Sequence, residues 1–292
     1  GIKYLVLMKE GISTAQVGKQ ILWQFKNTTD KFYGDKIATY NENRRNLLIK
    51  GGIISKKDVK AIGIPRYDKI HEYSKRIDNR NRLIYFSIRK NSGFFNTGKN
   101  SPIKYKFLEK KFPLESTISE KKFKSILKKN EKIMINLLSN IAKKHKEIEV
   151  VVKYKTGEGN FYTQIDNPPK NMKFIDGGSG YKLLKNCKLA IGFNSSVLLE
   201  AIIASCKVLV VSFGINKKKH QDSLLNYFGY AQYIYDKNIL EKKIMNIMLE
   251  NEIKKIKINK SLKFKYQIGS IDGMSTKRLR QFLIESLINN KK

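Results

Sequence analysis

Short apolar segments alternate along this chain with segments of helical periodicity, and this alternation constrains the fold more than any other feature. Strands that are separated by helices form parallel sheets, whose faces the helices cover. The predicted strands are 2–8, 36–40, 59–62, 83–88, 149–154, 172–175, 189–193 and 208–213. The predicted helices are 15–25, 44–50, 121–144, 181–186, 196–205, 239–249 and 276–287. A polar linker at 74–82 separates two groups of elements, so we predict an α/β fold with two Rossmann-like units, the N-terminal one incomplete or short.

The composition is that of a globular and very basic protein. Its 292 residues include 59 Lys and Arg against 25 Asp and Glu, a formal net charge of +34, and 41% are hydrophobic. That apolar share suffices for a packed core and excludes a mainly disordered chain. The charge suits phosphate, an anionic sugar nucleotide, an anionic membrane surface or nucleic acid. Alternatively, an AT-rich genome encodes so much lysine without selection for binding, and no RNA-binding or zinc-finger motif accompanies the charge.

Cysteine and histidine are too scarce for a disulfide scaffold or a zinc site, so we expect a reducing compartment and no metal. These residues are Cys187, Cys206, His71, His145 and His220. The most apolar stretch, 189–213, is interrupted by polar residues, so no membrane span is predicted. No signal peptide is recognised. Because Gly1 directly precedes a predicted strand, we expect that the natural N-terminus is missing or was processed.

The segment 189–213 contains the most informative motif. A predicted buried strand is followed by Asn194, Ser195 and Ser196, and a helix begins at once. Such a turn exposes backbone N–H groups at the positive end of the helix dipole, where phosphate binds, and the hydroxyls add donors. Glu200 lies one turn further on the same face, where its carboxylate can accept hydrogen bonds from two ribose hydroxyls. The alternative is that Asn194 and Ser195 only cap the helix and that Glu200 favours its dipole.

Three passages together resemble one family. They are N-S-S-V-L-L-E-A at 194–201 followed by K-V-L-V-V, D-K-I-A-T-Y at 35–40 with K-A-I-G-I-P-R-Y-D at 60–68, and D-G-M-S-T-K-R at 272–278. The first resembles the nucleotide-binding segment of GT-B glycosyltransferases that build bacterial surface polysaccharides, including capsule and lipopolysaccharide transferases. The second resembles the passage that closes their N-terminal domain, and the third resembles the entry into their final helix. The resemblance extends over most of the chain.

The resemblance implies two Rossmann-like domains of the GT-B type that face each other. It implies an acceptor-side domain at 1–78, a nucleotide-sugar-binding domain at 79–268 and a C-terminal helix at 269–292 that crosses back to the first domain. It also implies a nucleotide-sugar donor as substrate, a glycan or lipid-linked acceptor, and no cofactor. Family members extend further upstream, so we expect this chain to be a fragment or an N-terminally shortened relative.

Two further segments are candidates for donor binding. Lys153 and Lys155 follow a predicted buried strand and alternate to one side of it, so both can reach a donor phosphate at its carboxyl end. The alternative is that both are ordinary solvated lysines of a lysine-rich protein. The loop 176–181, with Gly178 and Ser179, follows another strand end, and its glycines allow a close approach of the backbone to a base or ribose. An ordinary turn is the alternative there.

The catalytic base is expected in the N-terminal domain. An inverting transferase needs a group that takes the proton of the acceptor hydroxyl, and Glu10, after the first strand, is the first candidate. The alternative is that Glu10 is only a carboxylate in a turn that precedes a capped helix. Arg89 and His220 are candidate phosphate contacts, whereas Arg66 is expected in a structural or interdomain ion pair.

These observations lead to three functional hypotheses. The first is a GT-B glycosyltransferase that moves a sugar from a nucleotide-sugar to a surface glycan, in the cytoplasm or on the inner face of an anionic membrane. The second is a polyol-phosphate transferase of the teichoic-acid type, which usually needs a histidine pair near the phosphate. The third is a non-catalytic basic protein that binds nucleic acid without specificity, although nothing in the sequence indicates a specific nucleic-acid partner.

Overall fold

The computed structural model describes residues 4–7, 34–75, 78–87, 120–155, 165, 167–193, 195–214, 225, 228–250, 258 and 261–288. The strands are β1 (Leu5–Leu7), β2 (Lys36–Thr39), β3 (Val59–Ala61), β4 (Arg82–Phe86), β5 (Glu149–Lys153), β6 (Met172–Ile175), β7 (Cys187–Gly192), β8 (Lys207–Val211) and β9 (Gln232–Ile234). The α-helices are α1 (Glu42–Lys50), α2 (Pro65–Tyr73), α3 (Glu120–Lys144), α4 (Val197–Ile203), α5 (Leu240–Leu249), α6 (Leu262–Gln267) and α7 (Ser275–Ile288). Short 3-10 helices cover Gly180–Asn186 and Lys237–Ile239.

The chain divides into two compact units. Unit 1 comprises residues 1–76, 222–228 and 255–292, and unit 2 comprises residues 77–221 and 229–254. The functional division predicted for 1–78, 79–268 and 269–292 stays a prediction.

Unit 1 contains a parallel sheet with the strand order β1-β2-β3. Successive side chains of a strand point to opposite faces, so each face of this sheet needs a helix. Ile37 of β2 packs with Leu48 of α1 on one face. The next residue, Ala38, packs with Phe282 of α7 on the other face. The C-terminal helix therefore completes the core of the N-terminal sheet.

Helix α2 has no counterpart among the predicted elements. It begins at Pro65, whose fixed φ suits the first turn of a helix and whose missing N–H is not needed there. Tyr67 and Ile70, three residues apart, are its buried residues. β9 and α6 were also not predicted, because three and six residues are too few for a clear periodicity. The helix predicted at 181–186 is a 3-10 helix.

Unit 2 is a doubly wound parallel sheet with the order β6-β5-β4-β7-β8-β9. Counted in chain order within this unit, its strands follow the sequence 3-2-1-4-5-6, which is the Rossmann order. Helices α3 and α5 cover one face, where Leu138 and Ile244 belong to the same buried cluster as Tyr85 and Val152 of the sheet. Helix α4 packs against β7 and β8. The predicted α/β fold with parallel, Rossmann-like units is thus confirmed.

Among the described residues, no helix combines the length and the apolar character that a membrane span requires.

Candidate functional site

The carboxyl ends of β4 and β7 mark the point at which the strand order of unit 2 reverses. The chain leaves β4 through α3 and leaves β7 through α4, and these two helices cover opposite faces of the sheet. Ile191 of β7 belongs to the core under α3, whereas the position of a Cβ on the next residue, Gly192, would lie 3.4 Å from Leu198 of α4. Helices that leave neighbouring strands toward opposite faces open a crevice where ligands of such sheets bind.

The turn before α4 presents backbone N–H groups at this edge. Ser195 and Ser196 are exposed, and Ser196 is the N-cap residue of α4 without a side-chain capping bond. No acceptor for the amides of Ser196 and Val197 is found among the described residues. Ser196 therefore does not act as a side-chain cap, and the alternative that Asn194 and Ser195 only cap the helix stays a prediction. Asn194 lies outside the described residues.

Glu200 lies in the first turn and a half of α4 and is only 8% exposed. A carboxylate that is largely buried loses hydration, so it gains most from hydrogen-bond donors that a ligand or a neighbour provides. Its predicted contact with ribose hydroxyls stays a prediction.

The two lysines after β5 have different environments. Lys153 is only 6% exposed, and its Nζ donates a hydrogen bond to the carbonyl oxygen of Tyr154. Burial lowers the pKa of Lys153, and the negative charge of Asp176 partly offsets this effect. Lys155, in contrast, is exposed. Lys153 is therefore a largely buried amino group at the carboxyl edge of the sheet, whereas Lys155 is a solvated one.

The loop after β6 lies against the same edge. Gly178 has a φ of +70°, which favours glycine, and a Cβ at this position would meet no atom within 4 Å. Ser179 leads into the 3-10 helix. A Cβ on Gly180 would lie 3.1 Å from the ring of Phe86 and 3.5 Å from Val197. The structure thus brings the glycine loop, the end of β4 and the start of α4 together.

The remaining predicted site residues are not described. Glu10, Arg89 and His220 lie outside the described residues, as does Asn194. Their roles stay predictions.

A buried group at the end of β4 was not predicted. The carboxylate of Glu131, on α3, accepts a hydrogen bond of 2.5 Å from the Tyr85 hydroxyl and one of 2.6 Å from the Ser87 hydroxyl. Glu131 is 1% exposed. Burial and the adjacent Glu131 carboxylate raise the pKa of Tyr85 well above its usual range, and the same two causes raise the pKa of Tyr154. The sequence does contain an indication, because Glu131 falls on the apolar stripe of α3, four residues after the buried Leu127.

Within unit 1, the passages 60–68 and 272–278 contact each other. The carboxylate of Asp68 accepts hydrogen bonds from the amides of Ser275, at 2.9 Å, and Thr276, at 2.7 Å. Arg278 donates to the carbonyl oxygen of Ile62 at 2.8 Å and forms a two-pronged ion pair with Asp272. We call this set the α2–α7 contact. It gives both passages a structural role at the start of α7.

The α2–α7 contact also explains why position 63, in the passage 60–68, is a glycine. Gly63 has a φ of +87°, and a Cβ there would collide with the Ser275 hydroxyl. Arg66, expected in an ion pair, lies over the ring of Tyr67 at 5.6 Å from its centroid.

No group of three His, Cys, Asp or Glu side chains that could hold a metal ion occurs in the described part of the chain.

No protein-family model matches this chain, and no curated protein matches its sequence. Its fold does match solved structures. A variant of the wall teichoic acid polymerase TagF aligns with a TM-score of 0.55 and 12% identity, over 99% of this chain and 69% of that one. TagF itself aligns with a TM-score of 0.50 and 11% identity, over 97% and 68%. The UDP-GlcNAc 2-epimerase of Methanocaldococcus jannaschii aligns with a TM-score of 0.46 and 13% identity, over 86% of this chain and 62% of that one.

This chain therefore spans less than two thirds of the length of that epimerase. At identities this low, the similarity concerns the fold. The match to TagF agrees with the predicted fold class, a GT-B-like chain with two Rossmann-like units.

Proposed function

We propose that this chain is a GT-B-type transferase that uses a nucleotide-activated donor, and that unit 2 binds the nucleotide at the carboxyl ends of β4 and β7. The observation that supports the proposal most is the 3-2-1-4-5-6 strand order of unit 2. Its reversal opens a crevice beside backbone amides, a glycine loop and the largely buried amino group of Lys153. Concave sites with a few convergent polar groups are the usual form of nucleotide sites.

The first candidate function is sugar transfer to a surface polysaccharide or lipopolysaccharide. The acceptor hydroxyl attacks the anomeric carbon, a general base takes its proton, and the nucleoside diphosphate leaves with the bonding electron pair. In this proposal, the amides of Ser196 and Val197 and the ammonium of Lys153 stabilise the charge on the leaving diphosphate. Glu200 accepts hydrogen bonds from ribose, and Glu10 is the proposed base.

The second candidate function is polyol-phosphate transfer of the teichoic-acid type. The fold similarity to a wall teichoic acid polymerase favours it. Here the acceptor hydroxyl attacks phosphorus, a general base takes its proton, and a nucleoside monophosphate leaves with the bonding electron pair. The scarcity of histidine weighs against it, and His145, one of the described histidines, contacts Glu147 through Nδ1 at 3.1 Å.

The proposed acceptor is a glycan or a lipid-linked glycan, and the proposed place of action is the cytoplasmic side of a membrane. The net charge of +34 favours a peripheral contact with anionic lipid, because basic side chains near such a surface are attracted to it.

A ligand panel tests the nucleotide site first. Unfolding is followed with and without UDP, GDP, CDP and CMP, and a specific ligand at 100 times its Kd stabilises the fold by about 2.7 kcal/mol. Base selectivity that persists at high salt supports the proposal. Equal binding of every nucleotide and of unrelated polyanions, lost steeply as salt rises, would instead indicate a non-specific polyanion binder.

A lysine series then locates the site. Lys153→Met should weaken the preferred nucleotide by about tenfold or more, because charge-assisted hydrogen bonds contribute about 1.5–3 kcal/mol. Lys188→Met is the matched control. Lys188 is also buried, but at the amino end of β7, where it donates to the carbonyl oxygen of Met248 at 2.8 Å. Loss of affinity in the control alone would refute the placement of the nucleotide.

The nature of the leaving nucleotide decides between the two candidate functions. Sugar transfer from a nucleoside diphosphate sugar releases a nucleoside diphosphate, whereas polyol-phosphate transfer from a nucleoside diphosphate polyol releases a nucleoside monophosphate. Chromatography of the nucleotides after incubation with each donor class separates these products directly.

A further inference from the structure

The Ser87 hydroxyl stands at the edge where β4 ends, and its hydrogen bonding has a defined direction. Ser87 follows β4 and is partly exposed, so a ligand in the crevice can reach it. Its Oγ donates to Oε1 of Glu131 at 2.6 Å, while the Tyr85 hydroxyl donates to Oε2 of the same carboxylate at 2.5 Å. Both carboxylate oxygens therefore accept, and the single proton of Ser87 is directed away from the crevice.

The oxygen of Ser87 retains acceptor capacity. A hydroxyl has one proton and two lone pairs. No described residue donates a hydrogen bond to this oxygen. A ligand group in contact with Ser87 must then be a donor, because an acceptor such as a phosphate oxygen would face a lone pair.

We propose that Ser87 is a specificity-determining residue that accepts a hydrogen bond from a hydroxyl of the bound nucleotide, and that Glu131 is the positioning residue that imposes this direction. This inference rests on the proposed nucleotide site of unit 2. The hydroxyl belongs to the ribose or to the transferred sugar or polyol. A deoxygenated ligand lacks the donor, so the site discriminates against it.

The variant Glu131→Gln keeps a hydrogen bond between Ser87 and residue 131 but reverses which of the two donates. One carboxylate oxygen becomes an amide NH₂ group, which can face only one of the two hydroxyls. The Tyr85 hydroxyl is fully buried and needs an acceptor, whereas Ser87 can turn its proton toward the crevice. We therefore expect the amide to donate to Ser87, which reverses the polarity that Ser87 presents to a ligand.

The experiment measures Kd by calorimetry for wild type, Ser87→Ala, Glu131→Gln and the control Tyr85→Phe. The probes are the preferred nucleoside diphosphate of the panel, its 2′-deoxy and 3′-deoxy forms, and the intact donor with and without single hydroxyls on the transferred group. The control leaves the bond from Ser87 to Glu131 in place while removing the hydrogen bond that Tyr85 donates to the same carboxylate. Unfolding in urea reports the stability of every variant.

We expect one deoxy probe to bind wild type about 2- to 12-fold more weakly than its parent, which is the worth of a neutral hydrogen bond. Ser87→Ala should weaken the parent by the same factor and leave that deoxy probe unchanged. Glu131→Gln should reduce this preference for the parent, because the ligand hydroxyl must then turn its own proton away and accept from Ser87. Tyr85→Phe should lower the stability but keep the preference for the parent. The probe that loses affinity shows whether the hydroxyl that contacts Ser87 belongs to the ribose or to the transferred group.

Three results would overturn the inference. They are equal binding of all deoxy probes to wild type, an equal loss for parent and deoxy probes in Ser87→Ala, and an unchanged preference in Glu131→Gln. These results would not contradict the proposed nucleotide site of unit 2. If no nucleotide binds wild type, the proposed function is wrong and this inference falls with it. Should Ser87→Ala not fold, Ser87→Cys replaces it, because a thiol is similar in size and only a weak acceptor.

Discussion

The α2–α7 contact predicts a specific loss of stability when Asp68 is changed. The first amides of a helix have no acceptor within the helix. In α7, Asp68 accepts hydrogen bonds from two of them, at Ser275 and Thr276. Truncation of a capping side chain costs about 0.5–2 kcal/mol, and a carboxylate at the positive end of a helix contributes about 0.3–1 kcal/mol more. Asp68→Ala should therefore lower the free energy of unfolding of unit 1 by about 1–3 kcal/mol.

The control variants separate the contribution of the capping hydrogen bonds from that of the negative charge. Asp68→Asn keeps one acceptor oxygen but loses the charge, so about half of the effect should remain. Asp58→Ala removes a partly exposed carboxylate of the same unit, for which the Ser55 hydroxyl is the one side-chain donor found among the described residues, and it should change little. Urea unfolding followed by circular dichroism measures all three variants. Normal stability of Asp68→Ala together with lost nucleotide binding would refute the structural role and return this passage to the functional site.

Two other predictions concern stability. Ser205 has a φ of +60°, and no hydrogen-bond partner for its buried hydroxyl is found in the part of the chain that the structure describes. Ser205→Gly should therefore stabilise unit 2 by about 1 kcal/mol in urea unfolding, whereas Ser205→Ala, which keeps the backbone strain, should gain less. The hydrogen bonds from Arg278 hold the pKa of Asp272 below its usual value. The stabilisation by this pair is therefore complete above the ordinary carboxyl pKa and is lost as pH falls through the lower pKa of the folded state. Asp272→Asn should remove this part of the acid sensitivity, and an unchanged pH profile of unfolding would contradict the assignment.

Several features of the fold follow from local sequence. Val150 and Val152 of β5 and the apolar stripe of α3 identify a strand and a helix without knowledge of any partner. Their alternation predicts parallel sheets, and the motif at 194–201 identifies the turn that the structure places at the edge of the sheet. Helix α2 was not predicted, although Pro65 at its first position is typical of a helix start.

Other features depend on contacts that are distant in sequence. Asp68 and Ser275 are 207 positions apart, so the shared structural role of the two passages is visible only in the fold. Lys153 and Lys155 have the same pattern in sequence, yet packing buries the first and leaves the second in solvent. Glu131 meets Ser87 only because α3 returns across β4.

The sequence by itself determined most of the longer strands and helices, because the period of the apolar residues depends on near neighbours alone. It also determined the fold class, since parallel strands need crossover helices. The tertiary structure alone decided the order of the strands, the place where that order reverses, and the hydroxyls that donate to the buried carboxylate of Glu131. These depend on how each crossover packs on the sheet, and the free energy of that packing is shared among residues far apart in the chain.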